Sequence, residues 1–328
     1  MKCIRITLVL MISLCLLGYS QEGFAQNYPT KPIRVIIPFT AGSTNTLIVR
    51  ALQKRLSKEL NGATFVVENI PAGTTKMATL EVMKAEPDGY TLYCVSPEAL
   101  MGYFYSGSYN FRAWEEMTYI AQIGYMPYAL LEVRADSPFK TWGDLVNFAK
   151  KNPGKLTCGG PAAGGVVNMV AIDTAKNAGI EIKYVPFAGA APSNIALMGG
   201  HVNYRVCVSS DAAPNIRAGL TRGLAISNDK RLAEMPDVPT FKEVGFTGLM
   251  SELPPFSYVL YGPPKLPETL RNQISKAVEK SITDPEYVEY CRSVIIQPVF
   301  KDAQTAKQDM KFFAEKVGGR LEVLFPKK

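Results

Sequence analysis

Two stretches of this chain carry no charged residue, and both run from an apolar strand-like segment into a helical pattern through small residues. The first, 38–49, follows Ile33, Val35, Ile36 and Ile37 and contains Pro38-Phe39-Thr40-Ala41-Gly42-Ser43-Thr44-Asn45-Thr46 before an amphipathic pattern begins at Leu47. The second, 156–172, contains Cys158-Gly159-Gly160-Pro161-Ala162-Ala163-Gly164-Gly165 ahead of a helical segment over 166–177. The first amides of a helix lack internal partners and its dipole is positive there, so each loop suits an anion. Ser43, Thr44 and Asn45 are all competent N-caps. Two such loops facing one cleft would hold a small ligand with two acceptor groups, such as a dicarboxylate, without lysine or arginine. Glycines that merely permit tight turns explain the same residues equally well.

The rest of the pattern alternates. Strands are expected at 33–37, 64–67, 90–95 and 119–123, with helices at 47–60 and 76–84. Ile48, Leu52, Leu56 and Leu60 recur every fourth residue and give the first helix one buried face. A second series follows Tyr125-Met126-Pro127: strands at 129–133, 155–158, 181–185, 202–208 and 222–226, with helices at 141–151, 166–177 and near 193–198. Thr141 is expected to cap its helix, with Asp144 in the first turn. After the proline-rich stretch from Pro236 come a strand at 257–261 and helices at 268–281, 285–293 and 303–317. This order argues for an α/β fold of mostly parallel sheets. The tail has too few strands for a domain of its own, so it is expected to return to the first lobe. That gives lobe 1 as 26–126 with 252–328, lobe 2 as 127–251, two chain crossovers, and a hinged cleft beyond the strand ends.

Residues 1–25 read as a cleavable export signal: Lys2 and Arg5, an apolar run over 6–17, then Gly23-Phe24-Ala25. Without them the chain has 34 basic side chains (36 less Lys2 and Arg5) and 28 acidic ones (29 less Glu22), a net charge of about +6. The basic residues are scattered, which argues against nucleic acid as a partner. Cys94, Cys158, Cys207 and Cys291 are widely spaced and read as buried free thiols rather than a disulfide framework. The one histidine, His201, sits at a turn after Gly199-Gly200. No metal cluster, no G-x-S-x-G elbow, no phosphate loop and no dinucleotide fingerprint occurs, so no catalytic residue, metal or cofactor is expected. The chain reads as a binder, not an enzyme.

Tyr28-Pro29-Thr30-Lys31-Pro32-Ile33-Arg34 and Pro38-Phe39, followed in order by Val67-Glu68-Asn69, Pro87-Asp88-Gly89-Tyr90-Thr91-Leu92, Lys151-Asn152-Pro153-Gly154-Lys155-Leu156-Thr157, Val185-Pro186-Phe187-Ala188-Gly189-Ala190-Ala191-Pro192, Gly199-Gly200-His201-Val202 and Pro236-Asp237-Val238-Pro239-Thr240, form a specific ordered set. It resembles the Bug-type receptors, the periplasmic solute-binding proteins of tripartite tricarboxylate transporters. The resemblance spans essentially the whole chain after residue 25. It implies a two-lobed periplasmic-binding-protein (Venus flytrap) fold, a monomer, and delivery of a small carboxylate ligand to membrane permease subunits. It also implies a ligand site built from Phe39, Thr40, Ala41, Gly42, Ser43, Thr44, Asn45 and Thr46 of the first loop. The second loop would give Gly160, Pro161, Ala162, Ala163, Gly164, Gly165 and Asn168. Phe187, Ala188 and Gly189 form a third segment, and Cys207, Ser209 and Ser210 a fourth.

The departures carry information. Where such receptors end the first loop in aspartate, this chain has Thr46, and Asn168 replaces the histidine usual at the second helix start. A site without the loop acid offers a ligand ammonium no partner, so the expected solute is a carboxylate lacking an α-amino group. Phe39 and Phe187 would tolerate an apolar or aromatic body. A sensor presenting its ligand to a signalling partner, or an exported hydrolase on the same scaffold, are the competing readings.

Overall fold

The computed structural model describes residues 28–71, 75–126, 128–248 and 255–325. The export segment at 1–25 and the lobe boundaries at 126/127 and 251/252 therefore fall on or beside residues outside that set. In the first part β1 (Ile33–Ile37) leads into α1 (Thr44–Glu59), followed by β2 (Phe65–Asn69), α2 (Lys76–Lys84), β3 (Thr91–Val95), α3 (Pro97–Tyr105), the single turn α4 (Ala113–Glu116) and β4 (Thr118–Tyr125). The second part runs β5 (Ala129–Arg134), α5 (Trp142–Lys151), β6 (Thr157–Pro161), α6 (Val166–Asn177), β7 (Lys183–Phe187), α7 (Ala190–Met198), β8 (Tyr204–Val208), α8 (Ser209–Arg217) and β9 (Thr221–Ile226). The chain then supplies β10 (Ser257–Gly262), α9 (Glu268–Ile282), α10 (Pro285–Ser293), β11 (Lys301–Asp302) and α11 (Ala303–Leu324).

The strands form two sheets, ordered β11-β4-β10-β3-β1-β2 and β7-β6-β8-β5-β9. The chain leaves the first sheet after β4 and re-enters it at β10, so the fold is α/β and two-lobed with two crossovers. Both sheets are mixed, not mostly parallel. β1 pairs in parallel with β2 and β3, and β6 with β7 and β8. β10 inserts antiparallel between β3 and β4, and β5 is antiparallel to β8 and β9. β5 and β10, the first strands laid down after each crossover, run antiparallel to their neighbours, where no crossover helix within the same sheet dictates direction, and the short β11 is antiparallel to β4.

Local chemistry explains the helices that carry the site. Ser43 caps α1, and Ile48, Leu52, Leu56 and Leu60 are at most 4 % exposed against β1 and α9. Burial of each such side chain contributes about 1.5–3 kcal/mol. Thr141 and Asp144 form a reciprocal capping box on α5. α3 is buried on every side, and its Leu100, Met101 and Tyr103 share one apolar cluster with Met169 and Val170 of α6 and Val206 of β8. That cluster joins the two lobes. Cys94, Cys158, Cys207 and Cys291 are buried free thiols. Among the described residues no helix is long and apolar enough to cross a membrane.

Candidate ligand-binding site

Both loops place a left-handed glycine just before the helix they open: Gly42 at φ +86° before Ser43, and Gly164 at φ +87° before Gly165. A side chain with Cβ is strained there, which is why glycine occupies both corners. Past each corner the backbone turns its first helical amides toward a cleft with an empty volume of about 660 Å³, open mouth included. Ser43, Thr44 and Asn45 line it from the start of α1, and Gly165, Val166 and Val167 from the start of α6. Two helix N-termini therefore face one cavity.

The loops are held differently. At the first, the Thr46 amide donates to Ser43 Oγ at 3.4 Å, and Asn69 Nδ2 donates to Phe39 O at 2.8 Å and Thr46 Oγ1 at 2.7 Å. At the second, the cap residue Gly165 offers no hydroxyl; instead Asn168 Oδ1 accepts the Gly164 amide at 2.8 Å. A Cβ on Gly102 of α3 would collide with the Gly164 carbonyl, so the two lobes touch backbone to backbone here. Gly189 approaches Thr40 in the same way: its Cβ would lie 2.5 Å from Thr40 Oγ1.

Of the residues expected at the site, Phe39, Ser43, Thr44, Asn45, Pro161, Ala162, Gly165 and Gly189 line the cavity. The others do not. Ala41 and Gly42 form the exposed outer turn of their loop, and Ala188 is also exposed. Thr46 and Asn168 are buried and spend their side chains on the loops themselves. Thr40 and Gly164 meet the opposite lobe, and Gly160 lies under the Tyr184 hydroxyl. Ala163 is half-buried outside the lining, and the Phe187 ring packs on the Gly159 backbone. Cys207 points to the far face of β8, its Sγ 3.8 Å from Leu130 O, because side chains alternate along a strand. Ser209 is fully buried, and Ser210 sits beside the cavity with its hydroxyl 3.3 Å from Thr44 Oγ1.

Sequence reasoning missed the contribution of α3 and, beyond Ser209 and Ser210, that of α8. Ser96, Ala99 and Tyr103 line the cavity from the first, and Asp211 from the second, with Met126, Ala190, Val208 and Tyr258 completing the wall. Ser96-Pro97-Glu98 is a helix-start signature that was there to be found. Asp211 lies outside both charge-free loops. Thr44 Oγ1 donates to Asp211 Oδ1 at 3.3 Å across the cleft. Burial pushes the Asp211 carboxyl up to about 6, opposed by the Arg205 guanidinium and the Thr44 hydroxyl and assisted by Glu132. Arg205 is itself fully buried, its Nε 2.5 Å from Glu132 Oε2.

The comparisons bear on the family and the fold. Residues 48–323 match the sequence profile described as "Tripartite tricarboxylate transporter family receptor". A Cupriavidus necator protein known as "UPF0065 protein in gbd 5'region" is 31% identical over 296 residues, spanning 90% of this chain and 87% of that one. Protein BugT of Bordetella pertussis is 26% identical over 307 residues, 91% of this chain and 92% of its own. The structure of MatC from Rhodopseudomonas palustris with bound malate superposes with a TM-score of 0.81 at 21% identity, over 91% of this chain and 100% of that one, a likeness of fold. With its two-lobed fold, ordered motifs and profile match, the chain belongs to the Bug-type family of tripartite tricarboxylate transporter receptors.

Proposed function

We propose that this protein binds a small carboxylate-bearing solute without an α-amino group in the cleft between its lobes and delivers it, in the periplasm, to the permease subunits of a tripartite tricarboxylate-type transporter. It does so as a monomer and without catalysis, with lobes at 26–126 plus 252–328 and at 127–251 closing on the solute. The observation that carries the reading is the convergence of the α1 and α6 N-termini on one cavity. Unpaired amides and two aligned dipoles stabilise an anion without a counter-charge. Phe39, Met126, Val166, Val167 and Val208 supply an apolar bed for the solute's body.

The acid seen at the cavity, Asp211, bears on the missing amino group. Burial raises its carboxyl to about 6, which weakens it as a partner for an ammonium below that pH. A thermal-shift panel of amino acids, aliphatic diacids and aromatic acids tests the reading. A solute at one hundred times its Kd adds about 2.7 kcal/mol of stability, several degrees of melting temperature. Shifts are expected from acids without an amino group; a strong shift from aspartate or glutamate alone would sink the proposal.

A further inference from the structure

Three polar groups meet at one end of the cavity, and they come from three different elements. Thr44 is the first residue of α1, Asp211 lies in the first turn of α8, and Tyr258 belongs to β10. The Tyr258 hydroxyl is buried, lies beside Thr44, and makes no hydrogen bond of normal geometry among the described residues. Asp211 Oδ1 accepts from Thr44, and Oδ2 accepts no hydrogen bond among the described residues. A solute carboxylate drawn to the first amides of α1 arrives beside an unused hydroxyl and an unused carboxyl oxygen.

We propose that Asp211 is the group through which this site selects its solute, donating its own proton from Oδ2 to the solute's carboxylate. The proposal rests on the carboxylate reading above and names the residue that enforces it. Charge accounting gives the reason. The groups facing Asp211 are Arg205 and Cys207 on β8, Glu132 on β5, Tyr258 on β10, and the Thr44 and Ser210 hydroxyls. Arg205 is the one cation among them, and it is already committed to Glu132. A solute carboxylate and an ionised Asp211 would be two neighbouring anions with no uncommitted cation among these groups, which favours a proton on one of them. The cavity-lining carboxyl whose titration burial raises to about 6 is the one that holds it. A carboxyl-to-carboxylate bond is charge-assisted and short-range, and it discriminates against any solute group that only donates. Below pH 6 an ammonium would meet a neutral acid whose remaining oxygen is taken by Thr44.

The test uses the full-length mature protein with malate, fumarate or benzoate, whichever raises its melting temperature at pH 6. All three are ionised from there upward. Calorimetry in buffers of different ionisation enthalpy should show net proton uptake, and affinity should weaken about fifty-fold from pH 6 to pH 8, as the protonated fraction falls from one half to about one hundredth. Asp211→Asn, which keeps a donor of the same shape and carries no charge, should bind with affinity independent of pH and as tightly at pH 8 as the wild type does at low pH. Asp211→Ala should be weak throughout. Tight binding by the wild type with no proton uptake and a flat pH profile would overturn the role of Asp211 while leaving the carboxylate reading in place. So would an amino-group solute whose affinity rises with pH and is lost in Asp211→Asn. If none of the three acids binds at any pH, the carboxylate reading falls and this proposal with it.

Discussion

The two loops share a corner and differ in everything attached to it. Both turn on a glycine near φ +86°, and both aim a helix start at the same cavity. The first is a polar device: Ser43 caps α1 from within, Asn69 pins the loop from β2, and Thr44 reaches across to Ser210 and Asp211. A Cβ at Gly42 would meet nothing within 4 Å. The second is a packing device. It has no hydroxyl cap, its amide is satisfied by Asn168, and its corner is wedged against Gly102, Tyr103 and Ser106 of the other lobe. The difference teaches that two loops of similar outline divide the labour. On the function proposed above, one recognises the charged group and the other brings the lobes together over it.

That division predicts unequal effects. The largest should come from Gly102→Ala, which adds one methyl carbon where a carbonyl oxygen of the opposite lobe already sits. Backbone cannot move aside as a flexible side chain would, so the lobes should part slightly and solute affinity should fall more than tenfold, a cost of about 1–3 kcal/mol for overpacking. Calorimetry reads the loss. A variant that binds normally would show that the contact belongs to the resting shape alone.

Asn168→Ala comes next. It strands the buried Gly164 amide and should cost about 1–3 kcal/mol of stability, read as a lower urea midpoint, while changing affinity less than stability. Ser43→Ala is expected to cost about 1 kcal/mol as a lost N-cap. Its signature is the reverse, with affinity reduced at least as much as stability, because the cap orients amides that touch the solute. Equal affinity losses in both variants would erase the distinction between the loops.

Much of this was legible before any coordinates. Leu52, Leu56 and their neighbours set α1 by simple periodicity, Thr141 and Asp144 announced α5, and the two glycine corners stood out by lack of charge. What stayed hidden had physical causes. α3 reads as an apolar run because it is buried on all faces, and such a helix has no period to detect. α8 carries Pro214 in its interior and is opened by Val208 with no side-chain cap, so its start carries no cap signal. Asp211 could be seen in the sequence, but its state depends on Arg205, Glu132 and Tyr258, which long-range pairing assembles. Thr46 could be read as a departure within the first loop, but its hydrogen bond from Asn69 of β2 depends on the pairing of β1 with β2 and could not.

The central claim is that the start of α1 holds a carboxylate. A crystal structure with a bound acid, co-purified or added, tests it most directly. The account predicts carboxylate oxygens within hydrogen-bond reach of the Thr44 and Asn45 amides, one of them also facing Asp211 Oδ2, with the solute's body against Val166 and Val167. An acid bound with its apolar end at Thr44, or seated outside this cavity, would contradict it.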